Sequence, residues 1–319
     1  MKQLTRTDCA DYLRSHDNFC ILTHRKPDGD TLGSAAALCR GLRAMGKTAH
    51  VLRNPETTPQ YAFLQEDVCC EACSEDRTVI SVDVAADKLF PPAFAPLLPR
   101  IALKIDHHGA GSDFAPLALV DPGSAACGEI VWDLLRELGV SMDRATAEAV
   151  YTAVSTDTGC FRFSNTTAHT LHTAAACLEA GAQTYPINKA LFETTRLCRL
   201  KIESYLADHL EFLEDGKLAL ALLPREVEQA CGVTEDDLVN ISNFARNIEG
   251  VMLAATFRTE SDGATKISLR SAPGYNSAAV SAELGGGGHA AAAGVRIAAD
   301  QAAAREKLLE ILKKQGYLH

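Results

Sequence analysis

Ile101-Ala102-Leu103-Lys104-Ile105-Asp106-His107-His108 reads as a short buried strand that ends in three ionisable side chains. In open α/β sheets, ligands gather at the carboxyl ends of the strands. Neutral imidazole is a common metal ligand, and an adjacent carboxylate can fix its tautomer. The triplet alone is weak. Three other acidic clusters in similar positions give it weight.

Outward from this strand, the first half of the chain alternates the two periodicities. Apolar strands are expected over 18–23, 49–52, 78–84, 101–105 and 117–120. Helical spacing covers 32–45, where Leu32, Ala35, Ala36, Cys39, Leu42 and Met45 share a face and Gly46 follows as a stop. Helices over 129–138, 144–155 and 167–180 come next. Alternating β and α units imply an α/β fold with a parallel, doubly wound sheet. Near Pro186 the pattern changes, and 189–213 reads as one long connecting helix. A smaller mixed α/β unit then follows. It has strands over 218–223, 251–258 and 265–270, and helices over 226–230, 235–247, 276–284 and 300–314. The expected division is a catalytic domain over 1–187, a connecting helix over 188–214 and a substrate-binding domain over 215–319.

Composition narrows the function. The net charge of −10, from 31 basic and 41 acidic residues, disfavours electrostatic wrapping of long duplex nucleic acid. A small anionic ligand stays open if a cation or a local basic pocket receives it. No apolar run is long enough for a membrane span, and the first residues lack a secretion signal's apolar core. Eleven scattered cysteines, mostly in apolar runs, fit reduced thiols and a cytoplasmic location. Cys69-Cys70-Glu71-Ala72-Cys73 offers a zinc or redox site as the lesser reading, since a second ligand pair at zinc spacing is lacking.

Four clusters carry the chemistry. In His24-Arg25-Lys26-Pro27-Asp28-Gly29-Asp30, a tight loop between strand and helix can bring His24, Asp28 and Asp30 together. An ordinary helix cap accounts for one carboxylate, not for two plus a histidine. Two carboxylates that close repel unless a cation joins them. Asp83 ends an apolar strand, a place where turn residues are common, and gains meaning beside the others. In the third cluster, alternation along an extended chain separates His107 from Asp106 and His108. His107 is the expected direct ligand and Asp106 the orienting carboxylate. His108 is the expected hydrogen-bond donor to a phosphate or leaving oxygen. Asp157 closes a helix, where the dipole disfavours negative charge, so it calls for a cation.

His24, Asp28, Asp30, Asp83, His107 and Asp157 form a nitrogen and oxygen donor set without thiolate, which suits manganese or magnesium better than structural zinc. Six ligands are too many for one hydrolytic ion with open positions. Two ions about 3.5–4 Å apart fit the count, with Asp83 as the bridge. Such a pair serves in-line displacement at phosphorus, hence phosphoester hydrolysis. Further on, Arg270 and Ser271 precede Gly285-Gly286-Gly287-Gly288-His289, a run whose backbone N–H groups can cradle phosphate, more so if a helix begins there.

In this order the motifs resemble those of the DHH phosphoesterases that carry a DHH-associated C-terminal domain, and the resemblance covers essentially the whole chain. It implies that His24, Asp28, Asp30, Asp83, His107 and Asp157 are metal ligands. Asp106 and His108 complete the catalytic motif. Arg270, Ser271, Gly286, Gly287, Gly288 and His289 would hold substrate, with the active site in the cleft between domains. Length and layout are similar to the nanoRNase group. That likeness implies manganese, with magnesium as an alternative, and attack on short RNA, dinucleotides and 3′-phosphoadenosine 5′-phosphate (pAp). It also implies a homodimer. Asn54, Pro55 and Arg162 are candidates to line the substrate surface. Alternatives remain: a stand-alone cyclic or linear di-adenylate phosphodiesterase, a single-strand exonuclease of the RecJ type, and a nucleotide sensor without turnover.

Overall fold

The computed structural model describes all 319 residues, which fall into two compact units, Met1–Thr194 and Thr195–His319. The first unit holds strands β1 (Lys2–Gln3), β2 (Phe19–Leu22), β3 (Ala49–Leu52), β4 (Cys69–Cys70), β5 (Thr78–Val82), β6 (Ile101–Asp106) and β7 (Leu117–Val120). They form a wholly parallel sheet in the order β1-β7-β6-β5-β2-β3-β4. Successive side chains alternate faces. Phe19 and Ile21 of β2 therefore join one core, and Cys20 and Leu22 join another with Phe90, Phe94 and Ile101. The first core is built with helices α1 (Arg6–Ser15), α2 (Gly29–Ala44), α3 (Cys127–Glu137) and α4 (Arg144–Asp157), and α5 (Ala168–Glu179) and α6 (Thr184–Asn188) add to it.

The strand order reverses between β2 and β5. Loops that leave these neighbours run to opposite sides and open a crevice at the carboxyl ends of the strands. A second contact sharpens the crevice. A Cβ on Gly29 would lie 2.5 Å from Thr156 Oγ1, and one on Gly33 would lie 2.4 Å from the Ala149 carbonyl oxygen. These pairings make α2 and α4 antiparallel near neighbours, so the start of α2 lies beside the end of α4.

The second unit holds α7 (Leu197–Asp208), β8 (Glu211–Leu213), β9 (Leu218–Leu223), α8 (Arg225–Cys231), β10 (Leu253–Thr259), β11 (Thr265–Ser271), α9 (Ser277–Glu283), β12 (Gly287–Gly288), β13 (Ala292–Ile297) and α10 (Gln301–Lys314). Its sheet runs β12-β13-β11-β10-β9-β8 and is mixed, with β9 and β10 parallel. Val280, Leu308 and Leu312 cover one face, and Ile202, Leu206, Leu238 and Ile241 the other. No helix is long and apolar enough to cross a membrane.

Strands β1, β4, β12 and β13 lie outside the sequence reading, and three further segments depart from it. The helix expected over 189–213 is a π-turn over Lys189–Glu193, an extended break, then α7 and β8. Arg196, in extended conformation, pairs with Asp237 at 2.7 Å, and β8 gains ladder partners on β9. These tertiary bonds outweigh helical continuity. The helix expected over 235–247 is three 3₁₀ turns, because Asn240 has φ 59° and a left-handed residue interrupts a right-handed helix. Finally, α1 was not anticipated, although Thr5 and Asp8 form its capping box.

Candidate active site

The carboxyl ends of β2, β5 and β6 lie next to one another and each delivers part of one cluster. β2 leads to His24, Asp28 and Asp30, β5 to Asp83, and β6 to Asp106, His107 and His108. The close packing of α2 on α4 brings in Asp157, the last residue of α4. His24 Nε2 lies 3.5 Å from Asp28 Oδ1 and 3.6 Å from Asp83 Oδ2. His107 Nε2 lies 3.7 Å from Asp30 Oδ2, 3.5 Å from Asp83 Oδ1 and 3.6 Å from Asp157 Oδ2. All six candidate ligands therefore converge. Asp83 is central, since each of its oxygens faces a different histidine. It sits at φ 56°, a left-handed conformation that is uncommon outside glycine. Its N–H donates to the Ile105 carbonyl at 2.9 Å.

A surrounding set of hydrogen bonds fixes the donors. His24 Nδ1 lies 2.8 Å from the Arg25 carbonyl oxygen, and His107 Nδ1 lies 3.2 Å from that of Ser124. A carbonyl only accepts, so each Nδ1 carries a proton and each ring directs its Nε2 into the cluster. Asp30 is gripped by the Cys127 N–H at 2.7 Å, the Gly128 N–H at 2.9 Å and the Ser34 hydroxyl at 3.0 Å. The first two belong to the N-terminus of α3, which favours an anion there. Asp28 caps α2 through the N–H groups of Asp30 and Thr31.

One expected role moves. Asp106 does not orient the ring of His107, whose partner is the Ser124 carbonyl. Its Oδ1 instead accepts from His108 Nδ1 at 2.8 Å, and its Oδ2 pairs with Lys104 Nζ at 2.9 Å. Alternation puts His107 on the far side of the chain from that carboxylate. Nothing in the sequence signalled the carbonyls of Arg25 and Ser124 or the amides of α3.

Electrostatics point to a cation. Burial holds the Asp30 and Asp83 carboxyls well above the usual carboxylate range. Asp157 and Asp28 add to it for Asp30, and Asp30 adds to it for Asp83. Burial also raises Asp157. At His24 burial opposes charge, yet Asp28 and Asp83 outweigh it and push the imidazole up to about 11. Asp83 Oδ1 is buried without a hydrogen-bond donor. Such an orphan among carboxylates and imidazoles fits a divalent ion. Three donor groups have this compactness: His24 with Asp28 and Asp83; Asp30 with His107 and Asp157; and Asp83 with His107 and His108.

The substrate candidates of the second unit are more varied. Arg270 is half-buried and donates to neutral acceptors, Asn243 Oδ1 at 3.0 Å and the Leu269 carbonyl at 2.9 Å. It keeps a charge to offer. Ser271 differs from expectation. It is buried, and its hydroxyl donates to the Ala290 carbonyl at 2.7 Å, which ties β11 to the loop after β12. The glycine run opens no helix and leads into β12 and a turn. Gly286 packs against β13, where a Cβ would lie 2.4 Å from the Gly294 carbonyl oxygen, and Gly288 has φ +143°. A Cβ on Gly287 would meet nothing within 4 Å, and His289 is exposed. Asn54 is buried, with its amide on Thr23 Oγ1 and the His24 carbonyl, so it braces the His24 loop rather than lining a surface. Arg162 is exposed and donates to the Gly159 carbonyl at 2.6 Å.

An acidic cluster at the switch point of a parallel sheet, joined to a smaller mixed unit, defines a class. The DHH family N-terminal domain matches residues 18–154 and the DHHA1 domain matches residues 223–315. The chain belongs to the DHH family and is a hydrolase acting on ester bonds. Within it, the chain is similar to the bifunctional oligoribonuclease and PAP phosphatase NrnA of Thermus thermophilus, 33% identical over 93% of this chain and 91% of the relative. The Bacillus subtilis protein of the same name is 26% identical over 92% and 93%. The fold is shared with an exopolyphosphatase-related protein from Bacteroides fragilis, at TM-score 0.87 and 23% identity over 97% and 95% of the two chains.

Proposed function

We propose that the chain hydrolyses short oligoribonucleotides to mononucleotides and pAp to AMP, with two divalent cations, manganese before magnesium. The observation that carries this reading is Asp83, whose two oxygens face two separate donor groups. In it, His24, Asp28 and Asp83 would hold one ion, and Asp30, His107 and Asp157, with Asp83 shared, would hold the other. When bound, two such ions activate water and offset charge during in-line displacement at phosphorus. His108, held through Nδ1 by Asp106, is left with Nε2 to donate a hydrogen bond to a phosphoryl or leaving oxygen. Against burial, His108 first and then Lys104 hold the Asp106 carboxyl below the usual carboxylate range. Arg270 and His289 supply the positive and hydrogen-bonding groups for a terminal phosphate or a base, and Gly287 allows close approach. A donor set without thiolate supports manganese, and the names of the relatives support the substrates. A cytoplasmic homodimer belongs to the same reading. Leu171 and Leu178, exposed one heptad apart on α5, supply an apolar face, and sedimentation velocity at several concentrations tests it.

The test compares turnover of a diribonucleotide, pAp, a long single strand and a cyclic di-adenylate, each with manganese, magnesium or zinc. The reading expects manganese-dependent turnover of the first two. Preference for the long strand or the cyclic compound would overturn it, as would binding without product.

A further inference from the structure

Cys70-Glu71-Ala72-Cys73 takes no part in the hydrolytic centre. Cys70 ends β4, the edge strand of the parallel sheet. Both cysteines pack on the cluster that contains Cys20 of β2. The Cys20 thiol is buried in that cluster. Arg77 Nη1 donates to Cys70 Sγ at 3.5 Å. His50, opposite Cys20 on β3, faces this group with Nδ1 buried and unpaired, as is Arg77 Nε. Arg53 and Glu71 pair at 2.6 Å beside the end of the strand.

A guanidinium that donates to a sulfur stabilises its thiolate. The Cys20 hydrogen bond foremost, then Arg77, hold Cys70 down at about 6 against burial. The engagement with Cys70 and burial push Cys20 far up, so it stays a thiol. Arg77 repels a metal cation at this sulfur. Cys70 and Cys73 are both partly exposed, whereas Cys20 is sealed.

We propose that Cys70 and Cys73 form a thiol–disulfide redox site, with Cys70 the nucleophile toward a small hydroperoxide and Cys73 the resolving thiol. The Cys70 sulfur attacks one peroxide oxygen and the O–O bond breaks. The leaving oxygen takes a proton from solvent, and Cys70 becomes a sulfenic acid. Sulfur loses two electrons and the peroxide gains them. The Cys73 sulfur then attacks that of Cys70. Its proton leaves with the sulfenic hydroxyl as water, and the S–S bond closes.

The full chain, fully reduced, is treated with hydrogen peroxide, alkylated and mapped by peptide mass spectrometry. The expected product is a Cys70–Cys73 disulfide, two hydrogens lighter. C73S is expected to trap Cys70 as a sulfenic acid that a cyclic 1,3-dione labels. In reduced protein, Cys70 should alkylate at pH 7 faster than the partly exposed Cys198 and Cys231. R77Q should move the pH midpoint of that reaction upward. Cys70 alkylation no faster than at Cys198, a disulfide that recruits Cys20, or no disulfide at all would each overturn the proposal.

Discussion

The two units hold their functional side chains in opposite ways. In the first, several of the candidate metal donors are fixed by hydrogen bonds. Asp30 receives three hydrogen bonds, and the two imidazoles are oriented by main-chain carbonyls. In the second, the candidate substrate groups have at most neutral partners. His289 is exposed and Arg270 lacks an anionic partner, while Ser271 and Gly286 serve the fold itself. The difference follows the chemistry. Several carboxylates crowded into a buried site need fixed partners to stay in place, whereas a phosphate-binding arginine keeps its value by remaining unpaired.

Substitutions test this contrast from the largest effect down. Asp83→Ala removes the shared ligand, and kcat should fall on the order of 10³-fold or more. Thermal unfolding of that variant should be unchanged or raised, since mutual repulsion is relieved. Activity within tenfold of the parent would break the two-centre reading. His108→Ala should lower kcat about 100-fold with little change in KM, as for loss of a positioned proton donor. A chelator should lower the unfolding temperature, and manganese should restore it. The restoration should reach about 2.7 kcal/mol at a hundredfold excess over Kd. Arg270→Ala should raise KM for pAp by about 1.5–3 kcal/mol of lost binding while kcat is kept. The smallest effect separates two adjacent glycines. Gly286→Ala should destabilise by about 1–3 kcal/mol through overpacking. Gly287→Ala should stay within about 0.5 kcal/mol and affect KM alone.

Strand positions were legible because buried parallel strands are short apolar runs, as at 78–82 and 101–106. The candidate ligands were legible because carboxylates at the ends of such strands have little structural reason to cluster. Less could be read where tertiary contacts decide. The 189–213 segment has helical composition, yet pairing of Glu211–Leu213 with β9 turns its end into a strand. Asn240 looks harmless in a helical pattern until its left-handed φ breaks the segment into turns. Ser271 and Asn54 looked available to substrate, but burial commits their polar atoms to the backbone.

The sequence by itself determined the fold class, the family and the identity of the metal-ligand candidates, because residue type and periodicity are local properties. Only the tertiary structure decided the division of labour among them. Asp157 reaches Asp30 because glycines let α2 and α4 pack closely. The Ser124 carbonyl takes the His107 ring, and Asp106 is left to His108 and Lys104. Asp83 presents one oxygen to each histidine because three strand ends meet at the reversal of the sheet. The contacts of Asp83 with His24 and of His107 with Asp30 and Asp157 join residues far apart in the chain, and packing that no local pattern encodes sets them.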